Sequence, residues 1–122
     1  MGLSIYFYDK DGNDVETESL SITHNLNKIL IELDKIKGGE TNYYKLIWRP
    51  DELFNCENGR VKVSDVILHL PELISSIIYY QDRLEQFLPS NGYGNFEWLY
   101  DFLCTYLKEC CVHQDACIYC CR

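Results

Sequence analysis

Gly2-Leu3-Ser4-Ile5-Tyr6-Phe7-Tyr8-Asp9-Lys10-Asp11-Gly12-Asn13 is the stretch that decides the fold class. Residues 2–8 are an apolar, aromatic run of strand length. Asp11-Gly12 then marks a hairpin, because glycine takes positive φ without steric cost. Val15 to Ile22 returns as a polar strand with Thr17, Ser19 and Ser21 alternating, so one face of it is expected to be exposed. At the other end of the chain, residues 116–121 (Ala-Cys-Ile-Tyr-Cys-Cys) read as a terminal strand.

The residues between these strands carry helical spacing. Thr23 is a helix N-cap, and Leu26, Ile29, Leu30, Leu33 and Ile36 recur on one face before Gly38-Gly39 ends the helix. Thr41 to Trp48 reads as extended or irregular, and Arg49-Pro50 holds residue 49 out of the helical region. Pro50-Asp51-Glu52-Leu53 starts a single turn, and Asn58-Gly59 is a tight turn. Ser64 or Asp65 caps a short helix ending near Leu70. Pro71 then opens a helix whose buried stripe is Leu73, Ile77, Tyr80, Leu84 and Phe87, with Pro89 just past its end. Asn95 caps the last helix, whose inward face is Phe96, Leu99, Tyr100, Leu103, Tyr106, Leu107 and Cys110. The expected fold is α+β: one domain over residues 1–122, its small antiparallel sheet made of the N-terminal hairpin and the C-terminal strand, with three to four helices on one face.

At 122 residues, with 47% hydrophobic content and only 3 Pro and 7 Gly, the chain can support its own core. Its formal net charge of −8 disfavours phosphate-backbone binding and anionic membrane surfaces. DNA mimicry would rest on that net charge alone, because the acids are scattered. No run of apolar residues reaches membrane-spanning length, and the N-terminal stretch has no basic leader, so neither a membrane segment nor a signal peptide is expected. A cytoplasmic location follows as the expectation.

Six of the seven cysteines lie after residue 100. Reduced thiols suit a cytosolic setting, and a disulfide framework is not expected there. Cys110, Cys111, His113, Cys117 and Cys120 would offer enough soft ligands for zinc. However, no second C-x2-C accompanies Cys117-x2-Cys120, and on a strand those two side chains point to opposite faces. The expectation is therefore no metal and no cofactor, with the cysteines acting as small buried hydrophobes.

Three polar clusters fall at expected element ends, where binding residues concentrate: Thr23-His24-Asn25, Trp48-Arg49-Pro50 and Asn91-Gly92-Tyr93-Gly94-Asn95. His24 in a first helical turn is either a solvent-facing cap or a ligand donor at an anion-favouring helix end. Gly92-Tyr93-Gly94 is too short for a phosphate loop and is read first as a tight turn, with Glu97 opposing an anion there. Arg49 is held beside a rigid proline, and its alternatives are a ligand contact and a structural ion pair. No Ser or Cys has a base and an orienting partner at a suggestive spacing.

The same patches resemble a family of small uncharacterised proteins found in bacteriophages, prophages and some bacterial genomes. Ile22-Thr23-His24-Asn25-Leu26, Trp48-Arg49-Pro50-Asp51-Glu52 and Asn91-Gly92-Tyr93-Gly94-Asn95 carry the resemblance in order and spacing. Cys110, His113, Asp115-Ala116, Ile118 and Arg122 extend it to the end of the chain. The chain departs from the family pattern at Tyr93, where the family has Trp, and through residues 39–44. It also departs at Cys111, Cys117, Cys120 and Cys121, where the family has Lys, Glu or Ser, and this weakens a shared zinc site further. The resemblance implies no established activity. Its setting implies a small protein that blocks host defence from the host-cell cytoplasm by binding a host protein or sequestering a nucleotide-derived signal.

The expected function is a non-enzymatic binding protein with a polar site at helix ends, lined by Thr23, His24, Asn25, Arg49, Asn91, Tyr93, Asn95 and Arg122. Its expected partner is a small anionic ligand or a host protein, and self-association is left open. The alternatives are an inhibitor of a protein–protein interaction with no small ligand, and a small enzyme using His24 as acid or base and Arg49 as anion holder. Tyr43, Tyr44, Tyr79 and Tyr93 are the aromatics expected at an exposed interface.

Overall fold

The computed structural model describes residues 2–122. Strand β1 (Gly2–Tyr8) alternates as its sequence requires: Leu3, Ile5 and Phe7 are buried, while Tyr6 on the opposite face is 50% exposed. β5 (Cys117–Cys121) pairs antiparallel along it, from Ser4↔Cys121 to Tyr8↔Cys117. β2 (Asp14–Val15) and β3 (Ser21–Thr23) share the other edge of β1, and the short β4 (Val61–Lys62) lies outside β5. This five-stranded antiparallel sheet, with helices over one face, is an α+β fold.

The returning half of the hairpin is not the continuous strand that its Thr/Ser alternation suggests. Phe7 faces Val15 and Leu3 faces Ile22, so the return takes seven steps where β1 takes four. The excess loops out through residues 16–19. Leu20 then drops into the core at 4% exposure, and its carbonyl accepts from Ile5 N–H at 2.9 Å. Burial of Leu20 and Ile22 sets the second register, since a one-residue slip would turn both to solvent.

After β3, the 3-10 turn His24–Leu26 leads into α1 (Asn27–Ile36). Residues 43–48, expected to be extended or irregular, instead form the helix α2 (Tyr43–Trp48). Tyr43, Leu46 and Ile47 face inward at helical spacing. The cap is supplied from outside the segment. Asp34 of α1 accepts from Tyr43 N–H at 2.9 Å, from Tyr44 N–H at 3.1 Å and from the Thr41 hydroxyl at 2.6 Å. α3 (Pro50–Leu53) is the expected single turn.

Asn58 and Gly59 both take positive φ, 57° and 75°, in the expected turn before β4. α4 (Val63–Val66) follows directly. Neither Ser64 nor Asp65 caps it; its entry is tied by Val63 N–H to the Ala116 carbonyl at 3.0 Å. α5 (Leu70–Tyr79) carries Pro71 in its first turn, as expected. The stripe from Leu73 to Phe87 does not form one helix. It breaks at Tyr80 into α5, α6 (Gln81–Leu84) and the 3-10 turn Glu85–Phe87. No Gly or Pro marks the break; it allows Leu84 to be fully buried where α6 meets α1. α7 (Phe96–Val112) is capped by Asn95 as expected, and lays Phe102 and Tyr106 against the core beside Leu99 and Leu103. The helices are thus slightly more numerous than the three to four expected, because two stretches divide and one extended-looking stretch is helical.

All these elements pack into one continuous apolar core that includes Leu3, Phe7, Trp48, Leu103, Tyr106 and Ile118. No described helix is long and apolar enough to cross a membrane. Cys110 and Cys120 belong to the core, and burial pushes both thiols up to about 12. Cys117 and Cys120 alternate across β5, and among the described residues no three His, Cys, Asp or Glu side chains form a metal-binding group.

Candidate functional site

Trp48 joins the sequence patches. It is the last residue of α2, 1% exposed, and its indole Nε1–H donates to His24 Nδ1 at 3.2 Å. That bond places the neutral imidazole proton on Nε2. Tyr44, one helical turn before, stacks on the Trp48 ring with centroids 5.9 Å apart and planes 5° from parallel. At the Trp48 backbone, Arg122 Nη1 donates to the Trp48 carbonyl at 2.7 Å and also to Asp51 Oδ1 at 3.0 Å. The Arg122 guanidinium holds the Asp51 carboxyl below its ordinary value.

Arg49 follows Trp48 and is fixed by Glu52 at 3.0 Å. The Tyr44 hydroxyl and then the Glu52 carboxylate push its guanidinium above the ordinary value. Lys45 also faces Glu52, at 3.9 Å. This surface therefore carries Lys45, Arg49 and Arg122 against Asp51 and Glu52, an excess of one positive charge in a chain of net charge −8. Arg49 keeps 43% of its side chain exposed.

The third patch attaches through Asn25, whose Nδ2 donates to the Tyr93 carbonyl at 3.2 Å. Tyr93 N–H in turn donates to Asn91 Oδ1 at 3.0 Å, and Gly92 and Gly94 take φ of 78° and 143° to make the turn. Gly94 lies against Leu26, where a Cβ would sit 3.0 Å from the leucine side chain, so the loop seats directly on the start of α1. Asn95 Oδ1 accepts from Trp98 N–H at 2.8 Å, and Thr23 Oγ1 accepts from Asn25 N–H at 3.2 Å. Both side chains are thereby used as caps, and the N–H groups they take are no longer free for an anion.

All eight expected site residues are thus accounted for. His24 and Arg122 meet at Trp48; Asn25, Asn91 and Tyr93 form the adjoining loop contact; Thr23 and Asn95 are caps. Arg49 and His24 are half-buried, and Tyr93 is 66% exposed. Among the described residues no hydroxyl or thiol hydrogen-bonds His24. Of the aromatics expected at an interface, Tyr79 is 81% exposed, whereas Tyr43 is core at 5%, its hydroxyl donating to Glu72 at 2.8 Å. Tyr6, Tyr119 and Trp98 are exposed aromatics that the sequence reading did not single out, although strand alternation from buried Ile5 and Phe7 places Tyr6 outward.

An α+β domain with a half-exposed polar surface centred on a buried tryptophan is the class that fold and site define. No family model, curated protein or solved structure matches the chain.

Proposed function

We propose that this is a non-enzymatic binding protein of bacteriophage type, an antagonist of host defence that takes a small anionic or nucleotide-derived ligand at the surface around Trp48. The observation that carries the reading is the hydrogen-bond chain running Asn91–Tyr93–Asn25, His24–Trp48 and Trp48–Arg122–Asp51, which joins segments 24 to 74 residues apart. Rigid support of that kind lowers the ordering cost of binding, and Arg49 is pre-oriented on it by Glu52. The absence of a nucleophile at His24 among the described residues favours binding over catalysis. A protein partner is the second reading. Leu68, Ile78 and Tyr79, each more than half exposed on α5 and the turn before it, favour it.

Native mass spectrometry of the purified protein, before and after incubation with a cellular nucleotide extract, tests the proposal. A retained ligand mass that disappears in Arg49→Ala supports it. No adduct in either condition sinks the small-ligand site and leaves the protein partner, and a chemically altered ligand would indicate an enzyme.

A further inference from the structure

Eleven Lys and Arg side chains serve this acidic chain, and their distribution is uneven. Lys35, Lys37, Lys45, Arg49, Lys108 and Arg122 each face a carboxylate. Among the described residues, Lys10, Lys28, Arg60, Lys62 and Arg83 do not. Lys28 lies over the Phe87 ring and Arg83 over the Tyr80 ring. The other three, Lys10, Arg60 and Lys62, all line one cleft of about 350 Å³ between the β1–β2 turn and the Asn58-Gly59 turn. Asp9 and Glu57 line it too, but Asp9 Oδ1 is held by the N–H groups of Asp11 and Asn13, both at 2.9 Å.

The cleft opens beside the outward face of the sheet, the face on which Tyr6 and Tyr119 are exposed. Register sets Lys62, Cys117 and Tyr8 side by side in one row, and Tyr119 and Tyr6 as direct neighbours two residues further along. Tyr6 is 50% exposed and Tyr119 41%. The Arg60 guanidinium lies over the Tyr8 ring, 4.2 Å from its centroid, and close to Gly12, where a Cβ would come within 3.3 Å of its Nη1. A stacked guanidinium keeps its N–H edge free for two-point contact with a phosphate. Two residues along a strand are about 7 Å, a spacing that a nucleoside 5′-phosphate bridges.

We propose that this cleft is a second binding site, separate from the Trp48 surface, and that it takes a free nucleotide. Its phosphates are held by Lys10, Arg60 and Lys62, and its base stacks on the Tyr6–Tyr119 pair. Charge selects the small ligand over a polymer: Lys10, Arg60 and Lys62 outnumber Asp9 and Glu57 by one positive charge in the cleft, while the net charge of −8 repels a long phosphate backbone. The site goes beyond the Trp48 reading and stands or falls without it, since it lies at the opposite end of β5 from Arg122.

The test is calorimetric titration of the whole protein with ATP, tripolyphosphate and adenosine, with circular dichroism to confirm that each variant is folded. The expected result is that ATP binds more tightly than either fragment. Arg60→Ala and Lys62→Ala should each weaken it roughly tenfold. Tyr119→Ala should weaken it at least about fivefold, as loss of a base stack does, and Arg83→Ala, a cation that lies over Tyr80 outside both surfaces, should leave it unchanged. Bound ATP should also slow alkylation of Cys117, which lines the cleft, and not of exposed Cys104. Absence of ATP binding at millimolar concentration would overturn the proposal. So would ATP affinity indifferent to both Arg60→Ala and Lys62→Ala, or binding of a single-stranded oligonucleotide without ATP. Tripolyphosphate binding as tightly as ATP, with Tyr119→Ala silent, would overturn the base platform.

Discussion

Arg122 shows how one side chain couples the end of the chain to the site. Its guanidinium bridges the Trp48 carbonyl and the Asp51 carboxylate, with side-chain exposures of 30% and 28% for the ion pair. Because Arg122 lowers the Asp51 pKa in the folded state, the contribution is complete above the ordinary carboxylate value of 3.8 and is lost as pH falls through the lower folded value. Arg122→Gln should cost about 1 kcal/mol at neutral pH. Urea melts of the two proteins should keep their full gap above pH 3.8 and converge only as pH falls through the lowered Asp51 value; a gap that persists in stronger acid would mean the arginine stabilises through its backbone contact alone. The thiols separate at the same scale. Cys110 and Cys120, pushed up to about 12 by burial, should resist iodoacetamide in the native protein. Cys56, Cys104, Cys111 and Cys121 are exposed and should label, and peptide mass mapping before and after denaturation distinguishes the two sets.

Helix ends separate what local sequence can announce from what it cannot. α7 begins at a residue whose own side chain closes the first turn, Asn95 Oδ1 to Trp98 N–H, and the Asn followed by an apolar periodic run made that start readable. Asn95→Ala should destabilise the protein by about 1 kcal/mol in a urea melt. A loss below about 0.3 kcal/mol would show that the neighbouring loop, rather than the cap, holds the helix start. α2 begins on Asp34, a residue of the preceding helix that its sequence position places among solvent-facing polar residues. Nothing within residues 41–48 identifies that cap, so the aromatic and β-branched composition there reads as extended. The break at Tyr80 has the same origin, being set by burial of Leu84 and by no breaker residue.

At the scale of the whole molecule, β5 ties the two ends of the chain together. Ile118 is fully buried and faces Phe7 on one side and Val61 on the other, so it lies where three strands and the helical layer meet. Ile118→Ala should cost about 2–5 kcal/mol, read from the denaturation midpoint at unchanged slope; a cost under about 1 kcal/mol would mean the β1–β5 seam collapses around the void. The sequence by itself determined the α+β class, the hairpin turn, the terminal strand and the capped last helix, because each depends on period or on chemistry within a few residues. It also marked the three polar patches, since Asn, Gly and Pro at element ends announce themselves locally. Only the tertiary structure decided that those patches meet at Trp48 and that Lys10, Arg60 and Lys62 gather beside an open tyrosine face. Those outcomes depend on strand register and on which distant carboxylate or carbonyl each donor reaches, and neither is encoded in any short window of residues.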